Sequence, residues 1–211
     1  MDEVLIIPDI HGRTFWKEPC SEFKGKIVFL GDYLDPYFKE YIKDALSNFK
    51  QIVEFAKGNP NCVLLIGNHD LGYIHPNDRD CTNISRYVRN SEATKLFQDN
   101  KDLFRIYYKY DNYLFSHAGV MQEWLDGNAI DLDHIELDHL LQCSALRGGI
   151  NEYGSCVWGD VREFANSRKE YQIFGHTQLK EPYITETFAC LDCRKAFLLK
   201  NNKIEEYNKE H

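Results

Sequence analysis

Val4-Leu5-Ile6-Ile7-Pro8-Asp9-Ile10-His11-Gly12 passes from a four-residue apolar run into a short polar loop that carries an aspartate and a histidine. A run of that length and composition is one buried strand. The pattern recurs. Ile27-Val28-Phe29-Leu30 leads into Gly31-Asp32-Tyr33-Leu34-Asp35, and Val63-Leu64-Leu65-Ile66 into Gly67-Asn68-His69-Asp70. Tyr113-Leu114-Phe115 leads into Ser116-His117-Ala118-Gly119, and a fifth polar segment is Gly175-His176-Thr177. Strands that each end in such a loop deliver side chains remote in sequence to one edge of a sheet, where they can meet around a metal ion.

The intervening segments set the fold class. Residues 37–57 place Ile42, Leu46, Phe49, Ile52, Val53 and Ala56 near helical spacing, closed by the breaker cluster Gly58-Asn59-Pro60-Asn61. The opening thus reads β-loop-β-α-β with parallel pairing. A second helix is predicted over about 84–97, and residues 120–145 read as mostly helical. Residues 104–108 alternate into Tyr113-Leu114-Phe115, with Asp111-Asn112 as a hairpin turn. The glycine-rich stretch from Arg147 to Ser155 reads as a loop over the site, and the last third returns to strands, with Asn201-Asn202 turning between the final two. No repeat or long linker divides the chain. The expectation is an α/β fold in one domain over residues 1–211: two mixed sheets packed face to face, helices outside, and a metal site at the strand ends.

Composition narrows the partners. The chain has 33 acidic and 25 basic side chains, a formal charge of −8, which speaks against a broad nucleic-acid or anionic-membrane surface. No apolar stretch approaches the roughly 18 residues of a membrane span. The acidic Met1-Asp2-Glu3 does not resemble a secretory signal. Seven cysteines, an odd number, suit reduced thiols and a cytoplasmic location better than a disulfide framework. Cys190-Leu191-Asp192-Cys193 spells C-x-x-C, but no second pair or nearby histidine completes a zinc site.

Taken singly, Asp9, Asp32 and Asp70 suit helix caps, and His117 and His176 suit a core. Five such segments together favour a dimetal centre. Asp32 can bridge two divalent cations, with Asp9 and His11 completing the first and Asn68, His117 and His176 the second. Mixed oxygen and imidazole ligation suits manganese foremost, with iron and zinc as alternatives. Two such ions hold a bridging hydroxide and bind phosphate oxygens. Asp70 is expected to brace the Asn68-His69 loop rather than bind metal.

Gly31-Asp32-x-x-Asp35 and Gly67-Asn68-His69-Asp70, with Asp9-x-His11 upstream and two histidine motifs downstream, resemble the calcineurin-like metallophosphoesterase superfamily, closest to its phosphoprotein (Ser/Thr) phosphatase branch. The resemblance implies Asn68 as a ligand, His69 as general acid and Asp35 as the carboxylate that orients it. It also implies hydrolysis of phosphomonoesters by the bridging hydroxide. An imidazolium held by a carboxylate can protonate an alkoxide leaving group near neutral pH.

One departure bears on substrate. The family pattern continues with Arg-Gly, whereas this chain has Pro36-Tyr37. Arg162, Arg147 and, ranked lower, Arg13 are the candidate replacements for a phosphate-gripping guanidinium. Tyr33 and Tyr37 flank the ligand loop and are candidate pocket residues. The expected partner is a phosphorylated protein or a small phosphoester or nucleotide, with oligomeric state open. The alternatives are a dinucleoside polyphosphate hydrolase with the same chemistry, and a metal-binding regulatory protein without catalysis.

Overall fold

The apolar runs become strands whose side chains are buried on both faces. The computed structural model describes residues 3–38, 41, 43–75 and 91–208. Val4–Ile7 (β1), Lys26–Phe29 (β2), Cys62–Leu65 (β3) and Phe104–Arg105 (β4) lie parallel in that order. Further strands are Tyr107–Tyr110 (β5), Tyr113–Ser116 (β6), Tyr171–Phe174 (β7), Tyr183–Ile184 (β8) and Phe188–Cys190 (β9). The last two are Phe197–Lys200 (β10) and Lys203–Glu206 (β11). One sheet has the order β11-β10-β1-β2-β3-β4 and the other β5-β6-β7-β9-β8, both mixed, as the sequence predicts.

Strand alternation explains the layering. Leu5, Ile7, Ile27 and Phe29 turn outward against the helices Lys17–Glu22 and Ala45–Gly58, joining Trp16, Phe49, Ile52 and Val53. Val4, Ile6, Val28 and Leu30 turn inward and meet Phe115, Ile173 and Ala189 of the second sheet. The outer face of that sheet packs under Trp124, Leu132, Leu140 and Trp158. Each such side chain contributes about 1.5–3 kcal/mol relative to exposure.

The parallel strands β1, β2 and β3 release their polar loops at one edge, and β6, β7 and β9 do so in the second sheet. Backbone hydrogen bonds run past the strands and lock those loops. His11 N–H donates to Asp32 O at 2.7 Å, and Gly175 N–H to His117 O at 2.8 Å. Open α/β sheets place their ligand sites at this end.

Several local readings need correction. Of the helix predicted over 37–57 the structure has Ala45–Gly58 as one continuous helix, separated by a turn at 43–44 from the helical Tyr41. Residues 39, 40 and 42 lie outside the described ones, as does 84–90 of the second predicted helix, whose described part is Ser91–Asp99. Residues 104–108 do not form one strand: Phe104–Arg105 pairs with β3, and Tyr107–Tyr110 crosses to pair with β6. Residues 120–145 hold one α-helix, Gln122–Gly127, then short 3-10 turns at Leu132–His134 and Leu137–Leu141. Single apolar anchors such as Leu132 and Leu140 bury themselves there without a continuous helical stripe. The turns at Asp111 and at Asn201-Asn202 form as predicted, with φ values of 50°, 51° and 60°. Among the described residues no helix is long and apolar enough to cross a membrane.

Candidate metal centre

Asp32 stands at the middle of the converging loops, 1% exposed. Its Oδ2 lies 3.3 Å from His11 Nε2 and 3.5 Å from His117 Nε2. Two groups of metal-capable atoms share it: His11, Asp32 and His69, and Asp32, His117 and His176. Asn68 joins the second group, its Oδ1 being 3.0 Å from His117 Nε2. His176 Nδ1 is 3.1 Å from that same nitrogen. Asp9 reaches the centre from the β7 loop side, where its carboxylate accepts from the His176 N–H at 3.0 and 3.2 Å. Of the six sequence-predicted ligands, His11, Asn68, His117 and His176 gather around Asp32 along with His69, whereas Asp9 stands beside the His176 backbone and in neither metal-capable group.

The orientation of the imidazoles fits a cation. His117 Nδ1 is 2.8 Å from the Leu30 carbonyl, and His11 Nδ1 lies 3.0 and 3.1 Å from the carbonyls of Asp35 and Leu34. Carbonyls only accept, so each Nδ1 carries a hydrogen and each Nε2 is turned towards Asp32. Imidazoles held by carbonyls at one nitrogen, with the other turned to a shared carboxylate, are the usual arrangement of metal ligands. His176 Nε2 is buried with no hydrogen-bond partner. Burial, the neighbouring His117 and the Arg147 charge hold His176 well below the ordinary histidine range, hence neutral. Burial alone would raise Asp32, but the surrounding imidazoles hold it well below the carboxylate range.

The backbone is bent to achieve this. His11, Asp32, Asp35 and His176 all have left-handed φ, at 43°, 54°, 59° and 63°. Such residues cost conformational energy and concentrate at functional sites. Gly67 and Gly175 permit the close approach: a Cβ on either would stand 2.1 Å from a carboxylate oxygen, of Asp32 and Asp9 respectively.

Asp70 is fully buried and works through the backbone. Its carboxylate accepts from the backbone N–H of Asp32, Tyr33 and Gly67 at 2.8, 3.1 and 2.8 Å, tying two ligand loops together. Beside it, His69 Nδ1 is 3.3 Å from Asp35 Oδ2, and the other Asp35 oxygen accepts from the Tyr73 hydroxyl at 2.9 Å. Burial would lower the His69 pKa, but the charges of Asp32 and Asp35 and the Asp35 hydrogen bond raise it to about 9.

The arginines separate. Arg13 is buried, with Nε and Nη2 spent on the carbonyls of Ile10 and Asp9. Arg162 is mostly exposed and forks onto Asp160. Arg147 also pairs with Asp160, at 2.8 Å, but its Nη2 donates to the Thr177 hydroxyl next to His176. Tyr33 turns out to be core, its hydroxyl donating to Leu65 O and its ring stacked on Phe49. Tyr37 lies over the site, 61% exposed, its ring 4.4 Å from that of His11 and its hydroxyl 3.4 Å from His69 Nε2.

Sequence reasoning missed Tyr73, Asp160 and Asp192. Tyr73 had a signal, since it lies four residues after His69 on the helix Asn68–Ile74 and so on the same face. The buried Asp160 and Asp192 had none beyond their charge.

The chain resembles solved structures along nearly its whole length. A cold-active protein-tyrosine phosphatase of a psychrophile, Shewanella sp., has 17% identity and a TM-score of 0.55, with 99% of this chain and 81% of that one covered. A point mutant of a cold-active protein tyrosine phosphatase gives 16% and 0.61, covering 98% and 77%. A protein serine/threonine phosphatase from Saccharomyces cerevisiae gives 13% and 0.56, covering 99% and 81%. At these identities the likeness is one of fold. Comparison with curated proteins gives no match. The sequence pattern of the calcineurin-like phosphoesterases matches residues 3–179, a span that takes in every loop of the centre. The chain belongs to the calcineurin-like phosphoesterases, metal-dependent phosphoric ester hydrolases.

Proposed function

We propose that the chain is a phosphomonoesterase that binds two divalent cations, manganese foremost, and uses His69 as general acid. The observation that carries this reading is the Asp35–His69 couple beside Asp32, with the imidazole's Nε2 facing the open side under Tyr37. Asp9, His11 and Asp32 would hold one cation, and Asp32, Asn68, His117 and His176 the other. Bound there, the cations would supply Lewis acidity and a nucleophile from water at neutral pH. His69, kept protonated by Asp35, delivers its proton from Nε2 to the departing oxygen. Arg147 takes the place of the arginine lacking at Pro36, since its guanidinium is held by Asp160 and reaches Thr177 beside His176. Arg162 spends its fork on Asp160, and Arg13 spends two of its nitrogens on backbone.

In the experiment, hydrolysis of an aryl phosphate is followed with manganese present. His69→Ala should lose about 10²–10⁴-fold in kcat while metal content stays at the wild-type level. Full activity in that variant would remove His69 from the reaction.

A second substrate reading rests on Tyr37, an exposed ring at the mouth of the site. It offers a stacking face for a base, as a dinucleoside polyphosphate would supply. A panel of phosphopeptides and dinucleoside polyphosphates separates the two by kcat/KM.

A further inference from the structure

The Cys190-Leu191-Asp192-Cys193 run earns its place through the residue between the thiols. Neither cysteine joins a metal-capable group among the described residues, and Cys190 ends β9 with its Sγ donating to the Gly175 carbonyl at 3.2 Å. Strand β9 runs parallel to β7, so Asp192 emerges at the same edge as Gly175 and His176. Its loop is fixed at both ends: Leu191 N–H donates to Phe174 O, and Asp192 O accepts from Leu179 N–H, each at 2.8 Å. The side chain is 3% exposed.

Gly175 lies between the Asp9 carboxylate and the Cβ of Asp192. A Cβ on Gly175 would lie 2.1 Å from Asp9 Oδ1 and 3.8 Å from Asp192 Cβ. On the other side is Arg13, also buried. Its Nη2 donates to the Asp9 carbonyl at 2.7 Å and lies 3.9 Å from Asp192 Oδ1, an ion pair too long for a hydrogen bond. Asp192 Oδ1 and Arg13 Nη1 are both buried without a hydrogen-bond partner. Fold maintenance alone would favour apolar groups here, because an incompletely bonded buried pair is expensive. A cation site gives the pair a reason to exist. A third buried carboxylate strengthens attraction for a divalent ion in a medium of low dielectric, and an arginine lets three carboxylates be buried together.

We propose that Arg13 and Asp192 are a positioning pair for the cation held by Asp9, His11 and Asp32. Arg13 fixes the Asp9–Ile10 backbone, and Asp192 sets a buried acidic group behind Asp9 that raises affinity for that one ion without ligating it. This rests on the two-cation reading above.

Titration of the full chain with manganese(II) tests the pair, with calorimetry reading heat and electron paramagnetic resonance reading free ion. Wild type should take up two ions. Asp192→Asn, nearly isosteric, should keep one wild-type step and weaken the other by about 10–100-fold, the usual effect of supporting groups around metal ligands. Arg13→Lys keeps the charge but not the fork, and should weaken the same step. Asp192→Ser serves as a second uncharged replacement. A purely structural role would not single out one of two ions. Unchanged affinities in a folded Asp192 variant overturn the pair and leave the two-cation reading intact. Failure of both Asp192 variants to fold assigns the residue to the fold and also overturns it. A wild type that binds neither manganese, iron nor zinc overturns both readings.

Discussion

In the proposed mechanism the residue that decides the chemistry is His69, because its charge is set by neighbours rather than by exposure. The carboxylates of Asp32 and Asp35 outweigh burial and raise its pKa to about 9. A folded-state pKa above the unfolded value of about 6.5 means that protonated His69 stabilises the fold. That contribution is fully present below about pH 6.5 and is lost as pH rises through about 9. In metal-free protein, the stability difference between wild type and His69→Gln should therefore shrink across this window and be flat below it. Urea unfolding at a series of pH values measures the difference. A gap that stays constant up to about pH 10 would mean that His69 is not charged by its surroundings. The site's other unusual residues, His11, Asp32, Asp35 and His176, carry left-handed φ, and nothing in an Asp or His letter announces that.

At the scale of elements, strands deliver each candidate loop to the same edge, and the loop after β3 is the shortest of them. The loop after β3 turns at once into the helix Asn68–Ile74, which puts Asn68 and His69 in its first turn and Tyr73 one turn later. Asp70 fastens this turn to the loop after β2 by accepting from the Asp32 and Tyr33 N–H groups there and from the Gly67 N–H of its own loop. Replacing Asp70 with Asn sets an amide NH2 against those donors. The expected loss is about 1–3 kcal/mol by chemical denaturation, together with weaker metal binding as Asp32 and Asn68 drift apart. Unchanged stability would show that the loops hold their register without it. The helices were harder to bound than the strands. The stretch 37–57 is interrupted by a turn at 43–44 before the helix Ala45–Gly58, and residues after Gly127 bury single anchors without any helical period.

For the whole molecule, the centre is a seam between the two sheets. Asp9, His11, Asp32, Asn68 and His69 come from loops of the first sheet, and His117 and His176 from the second. The Asp9–His176 contact spans 167 residues of chain. A ligand of such a seam binds the folded chain and not the unfolded one, and so stabilises it by mass action. At about 100-fold excess over Kd the gain is about 2.7 kcal/mol per ion, or roughly 5–10 °C in a chain of this size. Scanning calorimetry before and after chelation, and again after manganese is restored, should show a fall and a recovery of Tm. A Tm indifferent to chelation would count against a cation at the seam.

The strand-loop rhythm is written in the residues alone, because apolar runs of strand length followed by Asp, His or Asn are local patterns that a buried sheet edge explains. That rhythm is enough to locate the six candidate ligands, and the family resemblance adds the Asp35–His69 couple. Which neighbours matter emerges from the folded chain. Asp70 as a three-way backbone anchor, Tyr73 behind Asp35, Arg147 rather than Arg162 facing the centre, and Asp192 behind Gly175 all depend on contacts between distant segments. A charge shows in the sequence, but its partner does not: orientation and burial are set by how the two sheets close on each other.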